Sequence, residues 1–242
     1  MVSREGRGLS TNHGAPTSAV SPEGPPVGEP AFWRDLYARG DDGWELGRPS
    51  PSLDAHLARS APPPGRVAVL GCGRGHDGRL LARRGYRVWG FDFAPEPLQA
   101  ARELALREGL DVAFEQRDIF TLAGSHAAFF DGIWEYTCFC AIDPAQRAAY
   151  ADLVPRLLRP GGFFLACFFP MVPAPPAEPS GPPFPVTEAE VRRLFDPRFE
   201  FVEAYVPTAS PEGREGREWM VFARLRAGHW PRAQGDPAWL RT

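Results

Sequence analysis

From residue 66 onward the chain alternates short apolar runs with longer mixed stretches. The runs at Arg66–Leu70, Tyr86–Phe91, Val112–Gln116, Phe129–Tyr136 and Phe163–Phe169 read as strands. The mixed stretches between them predict helices from about His76 to Arg84, Pro95 to Glu108 and Pro144 to Leu158. Pro155 is expected to start or distort the last turn of the third. Gly161-Gly162 makes a turn into the fifth strand, and a Pro-rich loop follows it over Pro170–Pro185. A helix is predicted over Thr187–Phe195, with Thr187 as its cap and Glu190 completing a capping box. The last two runs, about Phe199–Val206 and Glu218–Leu225, are close enough to form a hairpin across a polar, Gly-bearing loop. Strands alternating with helices predict an α/β fold: a doubly wound, mostly parallel, seven-stranded sheet with a terminal antiparallel hairpin.

Ahead of this body the pattern changes. Residues 1–30 are rich in Gly, Ser, Pro and Glu and poor in large apolar side chains, a composition expected of a disordered tail. From Phe32 to Leu57 the pattern is short helix, loop, helix. Ser50 or Ser52 is placed to cap the second helix, and Pro51 suits its first turn. The expected organisation is a tail over 1–30 and one domain over 31–228, opening with a helical lid at 31–60. Pro62-Pro63-Pro64 separates the lid from the main body, and a C-terminal tail covers 229–242.

Composition narrows the chemistry. With 242 residues and 43% hydrophobic content, the chain suits one soluble globular domain. A net charge of -3 gives no argument for a nucleic-acid or membrane partner, and a monomer is expected. Every one of the 27 basic residues is arginine, so no Schiff-base lysine and no P-loop lysine exists. Cys72, Cys138, Cys140 and Cys167 sit in apolar runs without paired spacing, which points to reduced thiols in the cytoplasm. Cys72 and His76 lack a second pair with ligand spacing, so no metal site is expected. No stretch is apolar enough to span a membrane, and the N-terminus lacks the apolar core of a secretory signal.

The stretch 67-VAVLGCGRGHDGRLLARRGYRVWGFD-92 carries the candidate chemistry. A strand runs into Gly71-Cys72-Gly73-Arg74-Gly75 and then a helix, which presents backbone N–H groups to a ligand. Asp92, ending the next strand, is placed to take the two hydroxyls of a ribose. One such glycine alone would mean only a tight turn; the loop and Asp92 together point to a nucleoside. A dinucleotide site wants a third glycine where His76 stands, so that match fails. A G-x-G-x-G turn, as used for S-adenosylmethionine, fits as written. Asp118 and Ile119 follow the third strand, where such folds hold the adenine amine and ring, although Asp118 taken singly is an ordinary turn-forming acid.

Several further motifs give the chain a resemblance to the thiopurine S-methyltransferase superfamily, which includes thiol and halide methyltransferases. They are 44-WELGRPSPSL-53, 69-VLGCGRGHD-77, 133-IWEYTCFCAIDPAQRAAYADL-153, 181-GPPFPVTEAEVRRLF-195 and, more weakly, 213-GREGREWMVF-222. The resemblance runs from about Phe32 to Arg226 and implies a cofactor, S-adenosyl-L-methionine, and a small-molecule methyl acceptor. It implies cofactor contacts from Trp33, Tyr37 and Trp44 in the lid. Gly71 is implied in the loop, Asp92 at the ribose, Asp118 and Ile119 at the adenine, and Tyr136 beside the reacting end. Glu135 is commonly Asp in relatives and is assigned no role. Trp and Tyr faces can hold a sulfonium cation where water is excluded. For either tryptophan alone, packing of the small helices onto the sheet is an equally plain reading; both lie in a Gly- and Arg-rich segment with few other apolar partners, which favours the ligand.

The implied acceptor is a soft nucleophile: a thiol, thiopurine, metalloid or halide. Such acceptors need no strong base, which fits the lack of an evident catalytic dyad. Tyr136 is the candidate for closing the site around the methyl. Arg147 and the run 214-REGRE-218 could meet an anionic substrate, but isolated surface arginines are ordinary and the preferred reading is a solvated helix face and hairpin loop. Two alternatives stand beside this reading: an O- or N-methyltransferase of the same fold, and a catalytically idle module that has kept the pocket.

Overall fold

In the computed structural model, residues 24–178 and 180–228 are described. Most of the expected tails, 1–23 and 229–242, therefore lie outside the described residues. Residues 24–30, placed with the tail on composition, form a turn in which Glu29 N–H donates to the Pro26 carbonyl (2.9 Å) and which leads directly into the first helix.

The elements follow the predicted alternation. Helices α1 (Pro30–Arg39) and α2 (Pro51–Ser60) precede strand β1 (Arg66–Leu70). Then come α3 (His76–Arg83), β2 (Arg87–Asp92), α4 (Pro95–Arg107) and β3 (Val112–Gln116). A 3-10 turn at Ile119–Thr121 and the one-turn α5 (Ala123–His126) lead to β4 (Phe130–Tyr136). A second 3-10 turn, Pro144–Gln146, opens into α6 (Arg147–Leu157), which runs straight into β5 (Leu158–Phe168). Helix α7 (Glu188–Phe195) and strands β6 (Phe199–Tyr205) and β7 (Trp219–Leu225) complete the domain.

The strands form one sheet in the order β3-β2-β1-β4-β5-β7-β6. All pairs from β3 to β5 are parallel. Strand β7 runs antiparallel between β5 and β6, so the hairpin reverses only one strand. The strand order reverses between β1 and β4, which opens a crevice at their carboxyl ends. The glycine loop leaves β1 there, and Tyr136 is the last residue of β4.

Alternation along each strand builds a core on both faces. On β1, Ala68 and Leu70 join an aromatic-rich cluster with Phe130, Phe164 and Phe195. Val67 and Val69 face the other way, toward Leu53, Leu80 and Trp134. Among the described residues, no helix is long and apolar enough to cross a membrane.

Three local expectations are corrected. Strand β5 begins before the glycines, because its pairing with β4 jumps from Phe130–Leu158 to Gly132–Phe163 across an irregularity that absorbs Gly161-Gly162. Ser50 occupies the N-cap of α2, but its hydroxyl bonds Ser52 Oγ (2.7 Å) instead of a backbone N–H. Thr187 does cap α7, accepting from Glu190 N–H at 3.1 Å. Glu190 does not return the bond; its carboxylate goes to Arg147 (2.8 Å), a charged partner that a neutral N–H cannot match.

Candidate functional site

The site is assembled at the carboxyl ends of β1, β2 and β4. Gly71, Gly73 and Gly75 all have positive φ (63°, 50° and 69°). The loop therefore coils in a conformation that L side chains avoid. A Cβ on Gly75 would sit 2.5 Å from the Phe114 ring. On the open side, a Cβ on Gly73 would lie 3.3 Å from Tyr37 Oη, so α1 is folded down over the loop.

Asp92 accepts from Gly73 N–H (2.8 Å) and Ala94 N–H (3.0 Å), tying the end of β2 to the loop of β1. Burial pushes its carboxyl up, against the opposing pull of the Ala94, Gly73 and Phe93 N–H groups. A carboxylate has about four acceptor positions, so Asp92 keeps capacity for a ligand.

Tyr37, Trp44, Gly71, Gly73 and Tyr136 line one cleft that is open to solvent. Asp118 lines a second depression with Gly28, Pro30 and Phe93. Its carboxylate accepts from Phe120 N–H (2.9 Å) and caps the 3-10 turn. Asp92 stands between the two, bonded to Gly73 of the first cavity and next in sequence to Phe93 of the second. Two sequence-predicted residues stand apart from these linings. Ile119 is buried in the core. Trp33 donates from its indole to the Val27 carbonyl (2.8 Å) and meets Trp44 edge-on at 5.5 Å, behind the cleft wall.

The segment joining α1 to α2 is clasped to the glycine loop and α3. Glu45 receives His76 Nε2 (2.9 Å), Arg74 Nη1 (3.1 Å) and Gly47 N–H (2.7 Å). Burial alone would raise its carboxyl, but these partners hold it at about 2. Arg79 Nη2 lies 2.7 Å from His76 Nδ1 and can only donate there, so the imidazole presents its N–H to Glu45. Arg74 also pairs with Asp42 (2.6 Å). Asp77 accepts from Ser50 N–H (2.7 Å) and from the Trp134 indole (2.8 Å). The motif His76-Asp77 thus fastens the segment between α1 and α2 at two points.

The far wall of the cleft holds Tyr136 together with two groups of the 214–218 run, for which the sequence reading preferred a solvated loop. Tyr136 Oη donates to Glu218 Oε1 (2.5 Å) and accepts from Arg214 Nη1 (2.7 Å). Arg214 Nη2 reaches the Trp44 carbonyl (3.1 Å), and its guanidinium lies over the Phe169 ring at 4.8 Å. The run at 214–218 is therefore not a solvated loop: Arg214 is 7% exposed and Glu218 is fully buried. Among the described residues, no carboxylate comes within 4.0 Å of the Arg214 guanidinium. Arg147 is buried as well, donating to the Phe184 and Pro185 carbonyls and stacking on Phe139. The only available sequence signal was Glu218 directly abutting the apolar run 219-WMVF-222.

Glu135, given no role from the sequence, organises the loop that follows β4. It is buried and accepts from Phe139 N–H (2.7 Å) and Tyr150 Oη (2.6 Å). Burial raises its carboxyl to about 7. Thr137, which lines the cleft, is held at φ +61°, a strained value for a β-branched residue.

A family model described as thiopurine S-methyltransferase matches residues 28–225. A probable thiol methyltransferase 2 of Arabidopsis thaliana is 29% identical over 205 residues, covering 83% of this chain and 84% of that protein. Thiocyanate methyltransferase 1 of Brassica oleracea is 31% identical over 198 residues, covering 80% and 84%. The structure of Burkholderia thailandensis 1,6-didemethyltoxoflavin-N1-methyltransferase, with bound 1,6-didemethyltoxoflavin and S-adenosylhomocysteine, shares the fold. It gives a TM-score of 0.61 at 24% identity, over 81% of this chain and 86% of that one.

Proposed function

The chain belongs to the thiopurine S-methyltransferase family, and on that premise we propose that it moves a methyl group from S-adenosylmethionine to a small soft nucleophile, a thiol, thiopurine, metalloid or halide. The observation that carries the proposal is the division of charge along the cleft. Its glycine-loop end sets Asp92 and Asp77 beside the rings of Tyr37 and Trp44, while Glu45 there is already paired with Arg74 and His76. Its β4 end presents Arg214 behind Tyr136. The first end suits a cation and the second an anion.

The residues present fit the cofactor. Asp92 would hold the ribose hydroxyls, with Asp118 at the base and Gly71 and Gly73 at the amino-acid end, while Tyr37 and Trp44 cover the cation. Trp33 supports Trp44 from behind, and Ile119 shapes the base site from within the core. Bound S-adenosylmethionine supplies an activated methyl group on a sulfonium. The protein's own part is to exclude water with the clasped lid, to orient the acceptor against Tyr136, and to attract an anion with Arg214. No metal takes part in this reading. The working form proposed is a cytoplasmic monomer, consistent with four free cysteines, with a domain at 31–228 whose lid spans 31–60.

An acceptor panel of iodide, thiocyanate, hydrogen sulfide, aryl thiols and thiopurines, read by S-adenosylhomocysteine release, tests the proposal. Soft acceptors should outrun an alcohol or amine of similar shape. An alcohol or amine of similar shape proving the best acceptor would replace it with an O- or N-methyltransferase, and no release with any acceptor would leave a binding module.

A further inference from the structure

We propose that Tyr136 and Glu218 form a proton-accepting pair that lets the enzyme use neutral thiols as well as ready-made anions. The proposal rests on the methyltransferase reading above and adds a second acceptor class to it. Its geometric basis is a chain of contacts leading out of the cleft. Tyr136 lines the cleft. Its hydroxyl donates to Glu218 Oε1 (2.5 Å), a short bond of the kind made to a carboxylate. Glu218 Oε2, also buried, makes no hydrogen bond of good geometry among the described residues, although the Ser210 hydroxyl is near enough to lower the carboxyl. A fully buried carboxyl bonded to the hydroxyl of a tyrosine that lines the cleft is placed to receive a proton.

The step balances as follows. The S–H proton of the acceptor passes to Tyr136 Oη while the Tyr136 O–H proton passes to Glu218 Oε1. The S–H electron pair stays on sulfur. What remains is a thiolate in the cleft, a neutral tyrosine and a neutral carboxyl. The negative charge has moved from Glu218 to the acceptor, and Arg214 faces it before and after. Because Arg214 also donates to Tyr136 Oη (2.7 Å), it fixes that oxygen between cleft and carboxyl. After transfer, the proton returns along the same path to water in the opened cleft.

The groups around the pair agree with this direction of flow. Burial raises Tyr136 well above the ordinary tyrosine range, with Arg214 opposing and Glu218 and Cys167 adding to the rise. A standing tyrosinate is thereby disfavoured, and the hydroxyl acts as a conduit. Burial also raises Glu218, against Tyr136, Ser210 and Arg214, while Glu215 adds to the rise. A raised carboxyl is a better proton acceptor. Glu218 acts through Tyr136 and is a positioning and proton-storing residue; the hydroxyl of Tyr136 is the group that meets the acceptor.

The test compares an alkyl thiol, mostly protonated at pH 7 because ordinary thiols titrate at ~8.5, with iodide, which carries no proton. The readout is the ratio of kcat/KM for thiol to kcat/KM for iodide, for the wild type and for Glu218→Gln. At pH 7 the ratio is expected to fall about 100-fold in the variant. It should recover above the thiol's own pKa, where solvent supplies the thiolate. A merely structural loss would lower both acceptors together and leave the ratio unchanged at every pH, and that result overturns the proposal. Should Glu218→Gln not fold, Tyr136→Phe, which keeps the ring and removes the relay oxygen, is read by the same ratio. If the wild type methylates neither probe but accepts an alcohol or amine, the soft-nucleophile reading fails, and the pair's role with thiols fails with it.

Discussion

A single carboxylate, Asp92, joins β2 to the glycine loop and remains able to accept from a ligand. Asp92→Ala should weaken S-adenosylmethionine binding by roughly 1.5–3 kcal/mol, the scale of hydrogen bonds to a charged group. Calorimetry on the folded variant checks it, and unchanged affinity would remove Asp92 from the site. Glu135 shows the opposite use of a buried acid. Its folded value, about 7, lies above the ordinary carboxylate value of 4.5. Between those two pH values the folded state binds more protons than the unfolded state, so this group makes stability fall as pH rises. Glu135→Gln should flatten that slope. Denaturant midpoints at pH 5 and pH 7 measure it, and a slope equal to that of the wild type would count against a raised Glu135.

At the scale of elements, α1 and the segment after it are pinned to the glycine loop by the clasp of Glu45 on Arg74 and His76. Their two tryptophans, equivalent in the sequence, occupy different layers. Trp44 lines the cleft, while Trp33 stands behind it with its indole bonded to Val27. Trp44→Leu should therefore lower cofactor affinity by about 0.5–2 kcal/mol with little loss of stability. Trp33→Leu should act in the reverse order, lowering the melting temperature more than the affinity of the folded fraction. Paired thermal melts and titrations of both variants distinguish the two, and identical profiles would collapse the layered arrangement.

The whole domain depends on where the chain is cut. Deleting residues 1–23 removes a stretch rich in Gly, Ser and Pro that cannot bury a core, and should leave melting temperature and turnover nearly intact. Extending the deletion to residue 30 also removes the Val27 carbonyl that fixes Trp33, and the Gly28 and Pro30 wall beside Asp118. That longer deletion should cost both stability and cofactor affinity. Equal behaviour of the two truncations would show that the turn at 24–30 contributes nothing.

Much of this molecule is written in local pattern. Apolar runs such as Arg66–Leu70, each followed by a turn and a helix, determined the strands, the winding of the sheet and the position of the glycine loop at a strand end. These features depend on neighbours a few residues apart, where side-chain period and turn chemistry act directly. What lies opposite the loop had no such trace. Tyr136 ends β4 and Glu218 immediately precedes β7, with Cys167 on β5 between them in the sheet. Arg214 arrives from the hairpin loop, and only the insertion of β7 beside β5 brings it to the Trp44 carbonyl. In the sequence 214-REGRE-218 has the composition of a solvated turn. Burial of a charge is decided by what packs over it, and that is fixed by tertiary contacts across the sheet, not by the residues on either side.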